Sequence, residues 1–528
     1  MTAVDGANKR IGIDVGGTNT DAVLMEGDSV LAAVKRPTTQ DVASGVVDAV
    51  EQLIGQASGR SLGIRSVMIG TTQFINAFVQ RKGLARIAAI RVTLPKADAI
   101  PPMTAWPQDL IEAVDPDVHL VGGGSFYTGV DYAPLDERAI AKASEAIRAK
   151  GIRAIAITAN FAPVRPDLET RAEAVVRRIL PDADITLSHQ VGGIGLLDRE
   201  NAALINASLS RLSREVIASL RQALEHVGLD APIYISQNDG TLISEDFARR
   251  YPIFTCSAGP TNSIRGAAFL TGLEDGIVID VGGTTTDIGA LAGGFPRETA
   301  TPHYIGGVRT NFRMPDVLSL ALGGGTLVRL SEDRLTLGPE SVGYELTRRG
   351  RAFGGEELTT TDCIVRLGKA TLGRPELLES LPIATARRVY EAIQTAIERG
   401  IDEVKANSRP VPAVLVGGGN ILVSRELQGV STLEIPRYAD AANAVGAAIA
   451  RVSGRVDRIF DFHALGRDVA LAQAKEDAIN AAVAAGASRA TVEVAEVVEL
   501  PMTHMPTGAV QVKVRAVGDL AAPGVREP

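Results

Sequence analysis

The sequence predicts an α/β fold made of two related halves, with a small α+β appendage at the C-terminus. Three observations predict it. The octet Asp-Val-Gly-Gly-Thr-x-Thr-Asp occurs twice, at 14–21 and 280–287, differing only at Asn19 against Thr285. Around both copies short apolar runs alternate with helical patterns, as strands alternate with helices in α/β folds. After about residue 455 that alternation gives way to one helical run and two period-two segments.

Each octet reads as strand, tight turn, strand. Apolar runs at 11–13 and 277–279 precede the copies, and runs at 22–24 and 288–291 follow them. A Gly-Gly pair permits the positive φ angles that two-residue hairpin turns require. It also lets backbone N–H groups press against an anion as a phosphate nest. The threonine hydroxyls add donors, and a carboxylate at a strand end suits a hydrated Mg²⁺ ion. An ordinary hairpin needs neither the flanking acids nor both threonines, so the duplication points to two loops gripping one polyphosphate. The candidate phosphate-binding residues are Gly16, Gly17, Thr18, Asn19 and Thr20, with Gly282, Gly283, Thr284 and Thr285.

In chain order the pattern predicts a strand at 30–34, a helix at 41–54 and a strand at 64–69. A helix at 72–80, capped by Thr71 or Thr72, and a strand at 87–92 come next. The stretch 97–132, rich in Pro and Gly and holding the sole Trp106, reads as an inserted loop region. Helix 135–149, strand 154–158 and helix 167–180 form a clean αβα run, before one or two long helices over 196–226 and a strand at 232–236. Ser257-Ala258-Gly259-Pro260 opens a small-residue helix, with Pro in its first turn. A helix at 384–406 precedes strand 413–416, and 439–452 is an Ala-rich helix whose small side chains would let another backbone approach closely. The appendage reads as helix 465–485 and strands 490–498 and 509–517 around the loop 501–507, with fraying past Asp519. The expected domains are 1–185, the first half with its insertion; 186–455, the second half; and 456–528, the appendage.

Composition narrows the partners. The 528 residues are 45% hydrophobic and 22% charged, ordinary for a soluble globular chain. A net charge of −8 argues against nucleic acid or an anionic membrane surface. Cys256 and Cys363 are the only cysteines, so a reducing, cytoplasmic setting is expected. Neither a signal peptide ahead of Arg10 nor a membrane-length apolar run is expected. His119, His189, His226, His303, His463 and His504 show no metal-ligand spacing, and His189 alone lies toward the expected substrate side. Cys256, ending an apolar strand, reads as core packing rather than a nucleophile. Arg309 and Arg313 are candidates for a substrate carboxylate, with a solvated loop as the alternative.

Strand 413–416 runs into Gly417-Gly418-Gly419-Asn420, a third glycine loop. The chain has no G-x-x-x-x-G-K-[ST], which removes a P-loop NTPase, and no suitably placed G-x-G-x-x-G. Phosphate loop, phosphate loop, adenosine loop is an order that resembles the actin, heat-shock chaperone and sugar-kinase superfamily. That resemblance implies two actin-like (ribonuclease H-like) half-domains around a nucleotide cleft, with Gly417, Gly418, Gly419 and Asn420 on the nucleoside and the Ala-rich helix connecting the halves.

Gly70-Thr71-Thr72-Gln73-Phe74-Ile75-Asn76-Ala77 with Arg81-Lys82-Gly83, the Ser257–Pro260 turn, and Met314-Pro315-Asp316 ahead of Gly323-Gly324-Gly325-Thr326 narrow it further. Together they resemble the hydantoinase/5-oxoprolinase family, specifically its A-type ATPase subunit. The resemblance implies ATP-dependent, Mg²⁺-assisted opening of a cyclic amide, a possible B-type partner subunit and an oligomer. It places Mg²⁺ on Asp14 and Asp280 through water, and nucleophile orientation on Asp21 or Asp287, so these four acids are the candidate catalytic residues. Thr71, Thr72 and Asn76 are candidates for the substrate amide, with helix capping the alternative for all three. Two departures bear on the chemistry: Ile69 and Leu318 stand where the family commonly has histidine. They leave open a small-molecule kinase, or a non-catalytic ATP-driven module acting on a partner.

Overall fold

A computed structural model describes residues 9–38, 42–56, 63–299, 303–311, 314–331, 334–502 and 508–521. Arg313, His504, the tip of the 501–507 loop, the first residue of the helix expected at 41, and both chain ends lie outside the described residues.

Both octets fold as hairpins. Strands Lys9–Val15 and Asn19–Glu26 pair antiparallel with Asp14 opposite Asp21, and Gly276–Val281 pairs with Thr286–Ala292 with Asp280 opposite Asp287. In each turn the first glycine's N–H donates to the carbonyl three residues on, Gly16 to Asn19 at 3.0 Å and Gly282 to Thr285 at 2.8 Å. The positive φ expected of the Gly-Gly pairs is not found, as none of Gly16, Gly17, Gly282 and Gly283 adopts it. Close approach accounts for at least one of them: a Cβ on Gly283 would lie 2.7 Å from Thr18 Cγ2 of the opposite hairpin.

A parallel strand flanks each hairpin, Ile64–Thr71 beside Lys9–Val15 and Val411–Val416 beside Gly276–Val281. Shared topology thus accompanies shared sequence. The second sheet has six strands, with Val430–Glu434 at one edge and Val317–Leu320 on Thr286–Ala292. The first has nine, because Ile233–Ser236, Leu242–Ser244, Val452–Asp461, Ala509–Gly518 and Glu493–Pro501 extend it beyond Ile64–Thr71. This pairing differs from the boundaries expected at 185 and 455. Residues 233–244 and the C-terminal strands hydrogen-bond into the first sheet with partners distant in sequence, which periodicity does not reveal.

Four parallel strands, Ile87–Leu94, Asp117–Gly122, Ala154–Ala159 and Asp184–Leu187, form the inserted layer. The stretch expected to be loop at 97–132 therefore holds a strand, and also helix Gln108–Val114, which buries Leu110 and Val114. Its Trp106 packs edge-on against Phe78 and donates to Asn201 Oδ1 at 2.8 Å. A single 31-residue helix, Leu196–His226, backs this layer. No helix among the described residues is long and apolar enough to cross a membrane.

Two helices carry the chain between halves, Ala258–Thr271 outward and Ala442–Ala448 back. The second is shorter than the helix expected at 439–452, since Val452 already begins a strand. They cross with their backbones touching. A Cβ on Gly266 would sit 1.8 Å from the Ala442 carbonyl oxygen, and one on Gly446 1.8 Å from that of Asn262.

Candidate active site

Between the halves lies a cleft of about 730 Å³ whose walls come from both hairpins and from the third glycine loop. Asp14, Gly16, Gly17, Thr18, Asn19 and Asp21 line it from the first half. Asp280, Gly282, Gly283, Thr284, Thr285, Asp287, Gly417, Gly418, Gly419 and Asn420 line it from the second. Thr20 does not: its side chain is fully buried behind the hairpin. Gly417 takes φ +87°, and a Cβ there would meet Asp280 Oδ1 at 2.3 Å, so the third loop packs directly on the second hairpin's acid.

The substrate candidates separate. Thr72 lines the cleft beside Gly259 and Pro260. Thr71 is buried and its hydroxyl accepts the Gln73 N–H at 3.2 Å, a local helix-start bond. Asn76 is exposed and donates to Thr72 Oγ1 at 3.2 Å, outside the cleft wall.

The acids are deeply set. Asp14 and Asp21 are almost wholly buried, and burial raises both, Asp14 to about 7 with help from the charge of Asp21. Asp280 and Asp287 keep some surface open to the cleft, yet burial among protein atoms raises them too, Asp287 to about 7. Ser319 donates to Asp287. Asn443 Nδ2 donates to Asp14 Oδ2 at 2.9 Å and to Asp21 Oδ2 at 3.0 Å. Lys35 Nζ sits 2.5 Å from Asp21 Oδ1.

Sequence reasoning missed Lys35 and Asn443. A signal existed for each: in the meander Asn19–Glu26 to Ser29–Pro37, Lys35 falls opposite Asp21, and Asn443 is the polar residue opening an otherwise apolar Asn-Ala-Val-Gly-Ala-Ala run.

Do these residues fit a divalent cation? Asp14 Oδ1 is buried without a hydrogen-bond partner among the described residues, beside an equally unpartnered Asn262 amide. No three His, Cys, Asp or Glu side chains among the described residues gather closely enough to chelate a metal. One or two carboxylates with waters completing the shell is the arrangement Mg²⁺ favours. The donor set fits that ion.

Other expectations resolve simply. Cys256 is buried, its thiol pushed up to about 12 by burial, so it packs as a hydrophobe. Arg309 lies 3.3 Å from Asp198 and does not line the cleft. His189 is held at 2.6 Å by the buried Glu169, also away from the cleft. Ile69 is core, and Leu318 packs near Gly400. Asp316 is engaged by Arg297 at 2.6 Å.

The pattern described as Hydantoinase/oxoprolinase N-terminal region matches residues 10–180, and that described as Hydantoinase/oxoprolinase matches 199–408. The chain belongs to the hydantoinase/oxoprolinase family. Within this family it is similar to the caprolactamase alpha subunit of Pseudomonas jessenii, 26% identical over 83% of this chain and 69% of that protein. It is also similar to the acetophenone carboxylase gamma subunit of Aromatoleum aromaticum, 27% identical over 70% of this chain and 54% of that protein. Both relatives are subunits of larger enzymes by name, and the chain spans only part of their length. The crystal structure of the ATP-dependent caprolactamase from Pseudomonas jessenii shares the fold, with a TM-score of 0.77 at 21% identity, covering 98% of this chain and 89% of that one.

Proposed function

We propose that this hydantoinase/oxoprolinase chain uses ATP and Mg²⁺ to open a cyclic amide, such as a hydantoin, 5-oxoproline or another lactam or ureide. In this reading it acts as the A-type subunit beside a B-type partner in a reducing cytoplasm. The observation that carries the reading is the pair of hairpins meeting across one cleft, Gly283 against Thr18, each flanked by two acids that line it. The names of the caprolactamase relatives support the reaction class.

The chemistry follows from the residues. An unstrained ring amide is a poor electrophile. Moving the γ-phosphoryl group from ATP onto the amide oxygen releases ADP and gives an imidate phosphate. One water adds to its carbon, and the ring C–N bond breaks to leave an acyl phosphate with a free amine. A second water hydrolyses that acyl phosphate to carboxylate and phosphate. Such transfer requires mainly positioning and charge neutralisation. The hairpin N–H groups and the Thr18, Thr284 and Thr285 hydroxyls would donate to phosphate oxygens, each such bond contributing about 1.5–3 kcal/mol. Asp14 and Asp280 would hold Mg²⁺, which when bound supplies neutralisation of the transferring group. Asp287, raised to about 7, is suited to accept a proton from the attacking water near neutral pH. Thr72 would contact the substrate amide.

The test is ADP release from the chain, alone and with a co-purified partner, across a panel of cyclic amides. A ring-opened product accompanying stimulated release is expected. If no lactam, imide or ureide stimulates turnover in either preparation, the reading fails. A kinase reading is kept because Ile69 and Leu318 leave apolar groups at two positions. It would yield a stable phosphate ester with the ring intact, which product mass spectrometry distinguishes.

A further inference from the structure

Gly70 opens the motif that runs to Ala77, yet it does not line the cleft. It lies in strand Ile64–Thr71, directly beside Asp14 of the neighbouring strand. A Cβ there would stand 2.4 Å from Asp14 Oδ1 and 2.5 Å from Asn262 Nδ2. The missing side chain makes a bay in which a carboxylate and an amide converge. We infer that Asn262 is a positioning residue for the cation, orienting the Asp14 carboxylate from behind the cleft wall. The inference rests on the reading that Asp14 and Asp280 hold Mg²⁺, and not on which ring is opened.

Burial is the first argument. The Asn262 side chain is fully buried, and neither Oδ1 nor Nδ2 is in hydrogen-bond geometry with any described residue. Asp14 Oδ1 is buried and unpartnered in the same bay. Across that gap the amide favours the charged carboxylate without closing a bond to it. Leaving three polar atoms unmet out of water is costly, and an apolar side chain of the same size would serve packing better. Both oxygens are acceptors, and the waters of a hydrated cation are donors of the kind they lack.

Placement is the second. Asp14 is addressed from both connecting helices: Asn443 Nδ2 donates to Oδ2 at 2.9 Å, and Asn262 Nδ2 stands toward Oδ1. The Asn262 backbone cannot drift, because its carbonyl oxygen abuts Gly446 at the helix crossing. Successive residues on a helix point about 100° apart. Asn262 therefore turns to Asp14 of the first half while Ser263 lines the cleft and bears on Asp280 of the second. Outer partners of this kind orient metal ligands.

Mn²⁺ binding to the full chain, read by electron paramagnetic resonance with and without ADP, tests this. Asn262→Leu keeps the volume and removes the amide. Its Mn²⁺ affinity in the presence of ADP should fall about tenfold or more. Its cation-free ADP affinity should stay parental, and its melting temperature without ligand should not drop. Asn262→Ser, which keeps a small hydrogen-bonding group, should lie between parent and Asn262→Leu, and carries the comparison alone if Asn262→Leu does not fold. Parental Mn²⁺ affinity in the folded variants overturns the inference. So does a loss matched by an equal loss of cation-free ADP affinity, the mark of a distorted cleft. If the parent binds ADP no better with Mn²⁺ or Mg²⁺ than without, the placement of the cation on Asp14 and Asp280 falls, and this inference with it.

Discussion

Lys35 and Asp21 face each other on adjacent strands of the first hairpin's meander, Nζ 2.5 Å from Oδ1, and the same ammonium donates to the Asp440 carbonyl at 2.8 Å. Asp440 leads into the returning helix Ala442–Ala448, so one cation ties the phosphate hairpin to the connection between halves. Asn443 ties the same two elements through Asp14 and Asp21.

Lys35→Met leaves Asp21 buried without its counter-charge. Breaking a buried pair costs about 3–5 kcal/mol. Because the Lys35 side chain is 29% exposed, water offsets part of that, and a loss of about 1–3 kcal/mol in denaturant unfolding is expected. Nucleotide turnover should fall at least about tenfold, with Lys35→Arg in between. Parental stability and turnover in Lys35→Met would show the pair to be incidental.

The cleft acids set a pH dependence. Asp14 and Asp287 stand at about 7, raised chiefly by burial, against an ordinary value of 3.8. A raised acid binds its proton more tightly folded than unfolded, so the ligand-free protein loses stability as pH rises from about 4 through 7, and levels off above. Glu169 and Asp239, held below their usual range by His189 and Arg455 against burial, lose their contribution only on the acid side of this window. Melting temperature without ligand should therefore drop between about pH 4 and 7, and Mg·ATP should recover more of it at the higher pH. Asp14→Asn with Asp287→Asn should flatten the slope; an unchanged slope would exclude these two acids as its source.

How far the sequence alone could be followed depends on the range of each interaction. The octets, third glycine loop and connecting helix were legible because each is a local pattern: Asp14 lies at a strand end, and Gly283 and Gly417 in the turns, that their own neighbours specify. Asn443 was visible but uninterpreted, since its partners Asp14 and Asp21 lie more than four hundred residues away. The placement of Ile233–Ser236 and Val452–Asp461 in the first sheet was illegible for the same reason. Thr71 ends a strand, Thr72 stands at the N-cap of the helix that follows and Asn76 lies in its first turn, yet only burial in three dimensions separates the one facing the cleft from its neighbours.

Cys256 invites a simple check. Its thiol is pushed up to about 12 by burial and its Sγ lies 3.9 Å from the Pro252 carbonyl oxygen. Only thiolates react at useful rates. Iodoacetamide should leave the native protein unmodified at Cys256 and its turnover intact, and Cys256→Ala should retain activity while losing about 1 kcal/mol of stability. Rapid alkylation of the native chain with loss of turnover would make it a functional thiol.

The crossing of the two connecting helices holds the closest glycine contacts among the described residues. Gly266 faces the Ala442 carbonyl and Gly446 faces that of Asn262, each with room for hydrogen alone. A methyl group at either position must push one helix backbone off the other, and backbone cannot rotate aside as a side chain does. Gly266→Ala or Gly446→Ala should cost about 3 kcal/mol or more. The same substitution at Gly55, in helix Val42–Gln56 with nothing within 4 Å of its Cβ position, should instead stabilise by about 0.5–1 kcal/mol. Because Asn262 and Ser263 precede Gly266 on one helix, and Asn443 precedes Gly446 on the other, any displacement also moves the groups around Asp14 and Asp280. Turnover should then fall further than stability does, measured at a temperature where both variants remain folded. Variants that lose stability but turn over normally would show the crossing to be a strut with no bearing on the cleft.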